Sequence, residues 1–109
     1  MNNTIKTAEA CFLKTYNRYP LVIDQGKGVY LYDDAEKKYL DFAAGIGVFA
    51  LGYDNTTYNN ALKQQVDKII HTSNLFYNKP SADAAEKFAK VSGMEKVFFT
   101  NSGTEAIEG

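Results

Sequence analysis

A single cysteine, Cys11, stands among 109 residues. One thiol excludes an internal disulfide framework and a thiolate zinc cluster, and a chain without such a framework is consistent with a reducing compartment. Charge of one sign is lacking too: twelve basic residues are scattered among thirteen acidic ones, for a formal net charge of -1. No basic run exceeds Lys37-Lys38, so the electrostatic footprint of a nucleic-acid or anionic-membrane binder is missing. No stretch approaches the ~18 uninterrupted apolar residues of a membrane span. The opening MNNTIKTAEACFLKTYNRYP has no apolar core of a secretory signal. These absences predict a cytoplasmic protein that binds neither nucleic acid nor membrane.

Hydrophobic residues make up 45% and charged ones 23%, the composition of an ordinary globular protein. The length predicts at most one small domain, burying roughly two-thirds of its unfolded surface. Ile5, Ala8, Phe12 and Leu13 give residues 4–16 a loose helical spacing that ends before Tyr19-Pro20. Leu21-Val22-Ile23, Val29-Tyr30-Leu31-Tyr32 and Tyr39-Leu40-Asp41-Phe42 then read as strands of an antiparallel meander, parted by turn-forming residues 24–28 and 33–37. The glycine-punctuated run from Ala43 to Gly52 reads as a buried crossing segment, or else as a wall of a ligand pocket.

Asp54-Asn55-Thr56 offers cap chemistry to a helix with Tyr58, Ala61, Leu62, Val66, Ile69 and Ile70 on one face. His71 is expected at that helix's end, capping or packing rather than catalysing. Pro80 suits the first turn of a second helix that turns Ala84, Ala85, Phe88 and Val91 inward and stops at Gly93. Lys96 to Thr100 reads as a strand, and Ser102-Gly103-Thr104-Glu105 as a capping box in which Glu105 reaches back to the Ser102 amide. The amides of Gly103, Thr104 and Glu105 would be orphan donors of a helix start, and with the Ser102 and Thr104 hydroxyls they suit a phosphate. A capped helix with no ligand fits the same residues. No lysine follows Gly103, so this is not a Walker loop. A strand and one helical turn do not complete a parallel crossover, which leads to the expectation of a fragment.

Phe98-Phe99-Thr100-Asn101-Ser102-Gly103-Thr104-Glu105-Ala106 resembles the cofactor-phosphate loop of the class III pyridoxal-phosphate aminotransferases, F-F-x-N-S-G-x-E-A. Residues 26–33 resemble that family's G-x-G-x-x-(V/L)-(W/Y)-D hairpin, and residues 39–48 its Y-L-D-F-x-x-G-I-x-V segment. His71-Thr72-Ser73-Asn74-Leu75-Phe76-Tyr77-Asn78 is similar to the H-T-S-N-L-(Y/F)-Y-N of its acetylornithine branch. One segment departs: where the family has G-H-x-H-P, this chain has Gly52-Tyr53-Asp54-Asn55-Thr56.

The resemblance implies an α/β fold, the N-terminal part of a fold-type I aminotransferase. Residues 1–55 would form the arm and small-domain meander, and 56–109 the truncated start of the cofactor-binding large domain. It implies pyridoxal 5'-phosphate gripped by Ser102, Gly103 and Thr104, with Ile46, Val48 and Tyr77 on the substrate side. The implied reaction moves the terminal amine of an N-acylated diamino acid such as N-acetylornithine to a 2-oxo acid in arginine biosynthesis, within a homodimer. Alternatives are a 4-aminobutyrate or ornithine aminotransferase, an aminomutase, or a small non-catalytic interaction module. The family's cofactor-bearing lysine lies downstream and no lysine here matches it, so no catalytic residue and no metal site is assigned. Three charge-assisted hydrogen bonds, together ~5–9 kcal/mol gross, against an association cost of ~4–15 kcal/mol, imply millimolar cofactor binding or worse for these residues alone.

Overall fold

A computed structural model describes residues 2–109. The elements run α1 (Asn3–Cys11), β1 (Ile23–Lys27), β2 (Tyr30–Asp33), β3 (Lys38–Leu40), α2 (Thr56–Lys68), α3 (Lys79–Ser92) and α4 (Gly103–Glu108). The chain divides into two compact units, Met1–Gln65 and Val66–Gly109, with the division inside α2. Among the described residues none is buried. The expected single small domain with its own core is therefore not what forms.

In the first unit, Asn2 caps α1 by accepting from the Thr4 amide at 2.8 Å. The helix stops at Cys11, short of the predicted residue 16, because Phe12 swings into an extended conformation. The Phe12 and Tyr16 rings instead share the guanidinium of Arg18, at 5.1 and 5.9 Å. The predicted meander forms as a three-stranded antiparallel sheet in the order β1-β2-β3. Its first strand is shifted toward the C-terminus: Ile23 through Lys27 pair with β2, so the residues expected as a turn are ladder, with an irregularity between Ile23 and Gln25. The β2–β3 turn is built on the Asp33 carboxylate, which accepts from the amides of Ala35 at 3.0 Å and Lys37 at 2.8 Å.

After β3 the segment around Ala43–Gly52 folds as a run of tight turns. Ala44, Gly45, Ile46 and Gly47 all have positive φ, at 46°, 58°, 59° and 84°. For the β-branched Ile46 this left-handed conformation is a genuine outlier, costing on the order of 1–3 kcal/mol. The segment is not the buried crossing expected from its apolar letters, since Ile46 is 97% and Val48 79% exposed. Tyr53 closes it by exchanging two backbone hydrogen bonds with Gly28, at 2.9 and 2.8 Å.

Asn55 starts α2, accepting from the Tyr58 amide at 3.0 Å. The helix ends at Lys68, so His71 lies beyond it and is not its cap. The His71 imidazole Nε2 accepts from the Ser73 amide at 3.2 Å instead. In the second unit α3 follows its expected signals, with Pro80 in the first turn and Gly93 terminating it at φ 73°; Asn78 caps it as well. Its apolar stripe is not turned inward, because Phe88 is 60% and Val91 87% exposed. Phe88 meets only the edge of the Phe99 ring, at 6.1 Å between centroids. Residues 96–100 are not a strand; a parallel strand exists only through a partner's ladder, and none of the described residues provides one.

Gly26 is where this arrangement is tightest. A Cβ there would lie 2.4 Å from Cγ of Tyr53, closer than packed atoms allow. Gly26→Ala is expected to destabilise the intact protein by about 1–3 kcal/mol, read from denaturant unfolding, and an unchanged midpoint would show that the ring moves freely.

Candidate cofactor-phosphate site

The loop at residues 100–105 is organised by its own polar side chains. Ser102 is the N-cap of α4, its hydroxyl oxygen accepting from the Glu105 amide at 3.2 Å. Glu105 reaches back, but one residue further than a standard capping box: its Oε2 accepts from the Asn101 amide at 2.7 Å, not from that of Ser102. The Thr100 hydroxyl donates to the Ser102 carbonyl at 3.1 Å, and the Ala106 amide takes the same carbonyl at 3.1 Å. Of the three amides expected to face an anion, that of Glu105 is thus already engaged. Those of Gly103 and Thr104 have no partner among the described residues. A Cβ placed on Gly103 would meet nothing within 4 Å, so a ligand has open room above that backbone. Two adjacent free donors, two hydroxyls and open space fit a phosphate ester.

Ser102, Gly103 and Thr104 are brought together by the turn from residue 100 into α4. Tyr77, in the same unit, is fully exposed and touches none of the three. It precedes the α3 cap in a connection whose Thr72 hydroxyl accepts from the Asn78 side-chain amide at 3.3 Å. Ile46 and Val48 belong to the first unit, Ile46 on the exposed left-handed turn and Val48 just after it.

The arrangement that sequence reasoning missed lies beneath that turn. The Asp41 carboxylate accepts from the amides of Ala43 at 2.8 Å and Ala44 at 3.1 Å, and from the Tyr53 hydroxyl at 2.7 Å. The Tyr53 ring stacks on Phe49 with centroids 4.7 Å apart. The Tyr53 hydroxyl bond, with the two backbone amides, holds the Asp41 carboxyl below its ordinary value. The same bond pushes the Tyr53 phenol up. A parallel pair, Asp33 and the Tyr39 hydroxyl at 2.8 Å, shifts in the same directions. The signal that marked this cluster was the departure at Gly52–Thr56, where a tyrosine replaces a histidine of the family pattern.

Residues 12–109 match the family model of class-III aminotransferases. The chain belongs to that family. Class-III aminotransferases depend on pyridoxal 5'-phosphate, whose ester group the free donors of Gly103 and Thr104 suit. The chain is 46% identical over 96 residues to the acetylornithine aminotransferase of Archaeoglobus fulgidus, an alignment covering 88% of this chain and 26% of that enzyme. It therefore spans about a quarter of the length of the curated relatives it matches. Among solved structures it superposes on an acetylornithine aminotransferase from Elizabethkingia anophelis with TM-score 0.90 at 33% identity, covering 96% of this chain and 27% of that one. It superposes on an ornithine aminotransferase from Plasmodium yoelii with TM-score 0.91 at 26% identity, covering 97% and 28%. The fold is thus that of the opening of a fold-type I aminotransferase.

The two carboxylate–phenol pairs bound a pH window. Lowered carboxyls contribute stability that is complete above about pH 4 and is lost as pH falls through their lower folded values. Raised phenols contribute stability that is complete below about pH 10 and is lost as pH rises through their higher folded values. In tyrosine-labelled NMR of the intact protein, Tyr39 and Tyr53 are expected to ionise above the ordinary tyrosine value. Asp41→Asn should lower the Tyr53 midpoint and leave that of Tyr39 in place; a Tyr53 that ionises at the ordinary tyrosine value in the unsubstituted protein would remove the bond from solution.

Proposed function

We propose that the chain is the amino-terminal part of an aminotransferase that takes the terminal amine of an N-acylated diamino acid such as N-acetylornithine and passes it to a 2-oxo acid, in cytoplasmic arginine biosynthesis. The 46% identity over 96 residues to an enzyme named for that substrate carries this reading. In it, residues 1–55 are the arm and meander of the small domain and 56–109 open the cofactor-binding domain, within a homodimer. The lysine that carries the cofactor lies outside these residues, so the 109 residues by themselves perform no transamination.

Within that enzyme the chain's work is to hold and to exclude. The Gly103 and Thr104 amides and the Ser102 and Thr104 hydroxyls would fix the phosphate ester and with it the lateral position of the ring. A fixed phosphate converts the later steps from encounter to positioning. When bound, the cofactor supplies an electron sink for negative charge at the carbon bearing the reacting amine. Glu105 is held by the Asn101 amide. Ile46, Val48 and Tyr77 would line the substrate side with apolar and aromatic surface suited to an uncharged acyl chain.

An ornithine-type activity is the second reading, favoured by the superposition on the Plasmodium yoelii enzyme. Against it stands Ile46, at a position where ornithine aminotransferases usually carry tyrosine. The complete enzyme, assayed with N-acetylornithine, ornithine and 4-aminobutyrate, is expected to favour the first by at least about tenfold in kcat/KM, a difference of ~1.4 kcal/mol; parity would reject the assignment.

A hydrogen bond to a charged group is worth about 1.5–3 kcal/mol. Ser102→Ala is therefore expected to weaken cofactor binding to the apoenzyme roughly ten- to a hundredfold, measured by fluorescence quenching. Unaltered binding would take Ser102 out of the phosphate site.

A further inference from the structure

The left-handed turn at residues 44–47 is held at both ends by one polar pair. On its N-terminal side the Asp41 carboxylate takes the amides of Ala43 and Ala44, at 2.8 and 3.1 Å. On its C-terminal side Tyr53 is fixed three ways. Its hydroxyl donates to Asp41 at 2.7 Å, its ring stacks on Phe49 at 4.7 Å, and its backbone exchanges two hydrogen bonds with Gly28. Gly26 leaves the space the ring occupies. Between these anchors Ile46 and Val48 stand exposed, and Ile46 holds a positive φ that a β-branched residue does not adopt unless its surroundings over-determine it.

We propose that the Asp41–Tyr53 pair is a positioning device for substrate selection: it keeps the 44–47 turn left-handed and so sets where Ile46 and Val48 meet the carbon chain of the amine donor. Asp41 and Tyr53 touch no reacting atom in this scheme; they act through the turn. The inference rests on the reading that Ile46 and Val48 line the substrate side. The hydroxyl, rather than the ring, joins the two ends of the turn. Tyr53→Phe therefore separates the clamp from the packing, since it keeps the Phe49 stack and the Gly28 bridge.

In the complete holoenzyme, Tyr53→Phe is expected to speed amide hydrogen exchange across residues 43–49 at least about tenfold, while the cofactor absorbance stays unchanged. The ratio of kcat/KM for N-acetylornithine to that for 4-aminobutyrate should fall at least about fivefold, mostly through KM. In an Asp41→Asn background the same substitution should add little, because the bond is already weakened. Asp41→Asn also serves as the test if Tyr53→Phe does not fold. Exchange at wild-type rates in the variant would overturn the clamp, whichever amine the enzyme prefers. Faster exchange with an unchanged ratio would overturn its role in selection. A wild-type enzyme with no preference for N-acetylornithine would defeat the substrate assignment alone; the clamp would still be judged by exchange, and selection by the ratio between the two best donors.

Discussion

Backbone amides left over at helix starts and turns are met throughout this chain by short polar side chains. Asn2, Asn55, Asn78 and Ser102 each accept from an amide in the first turn of a helix. Asp33, Asp41 and Ser73 do the same at turns between elements. An isolated helix of the length of α4, or a three-residue strand, is not stable on propensity alone. These local bonds fix where each element begins and therefore which donors remain for a ligand. At the phosphate loop the accounting is direct: Ser102 and Glu105 consume the amides of Glu105 and Asn101, and those of Gly103 and Thr104 remain.

Apolar burial contributes much less. The chain exposes 10206 Å², against about 6,000 Å² for a compact monomer of its mass. The uncovered area includes the Phe88 and Val91 stripe of α3 and the crown of the 44–47 turn. Such faces are stable when further protein lies against them. That agrees with a chain spanning 26% of its Archaeoglobus fulgidus relative, and with residues 96–100 standing without a ladder.

What was legible in the sequence was local chemistry. Pro80 and Gly93 announced the two ends of α3, and each does the work its residue type predicts; the Asn78 cap went unread. The order of the meander was legible from alternating aromatic and β-branched residues, but the extent of β1 was not. Asp24-Gln25-Gly26-Lys27 are turn formers by letter, yet pairing with β2 outweighs that preference. The segment from Ala43 to Gly52 misled for another reason: apolar composition does not distinguish a surface sealed by its own chain from one sealed by a later stretch. The start of α4 was legible because a capping residue, Ser102, dictates where the helix begins and which backbone donors are left over. The Asp41–Tyr53 bond joins residues twelve apart and leaves no periodic trace; the departure at Gly52–Thr56 marked the place but not the partner.

The bridge between Gly28 and Tyr53 also orders events in time. Closing a loop of that length costs only a little more entropy than closing a hairpin, and both partners precede α2, α3 and the phosphate loop in order of synthesis. The meander and its left-handed turn can thus settle while the remainder of the polypeptide is still being translated. The surface proposed to meet the amine donor would be shaped before the loop proposed to hold the cofactor emerges.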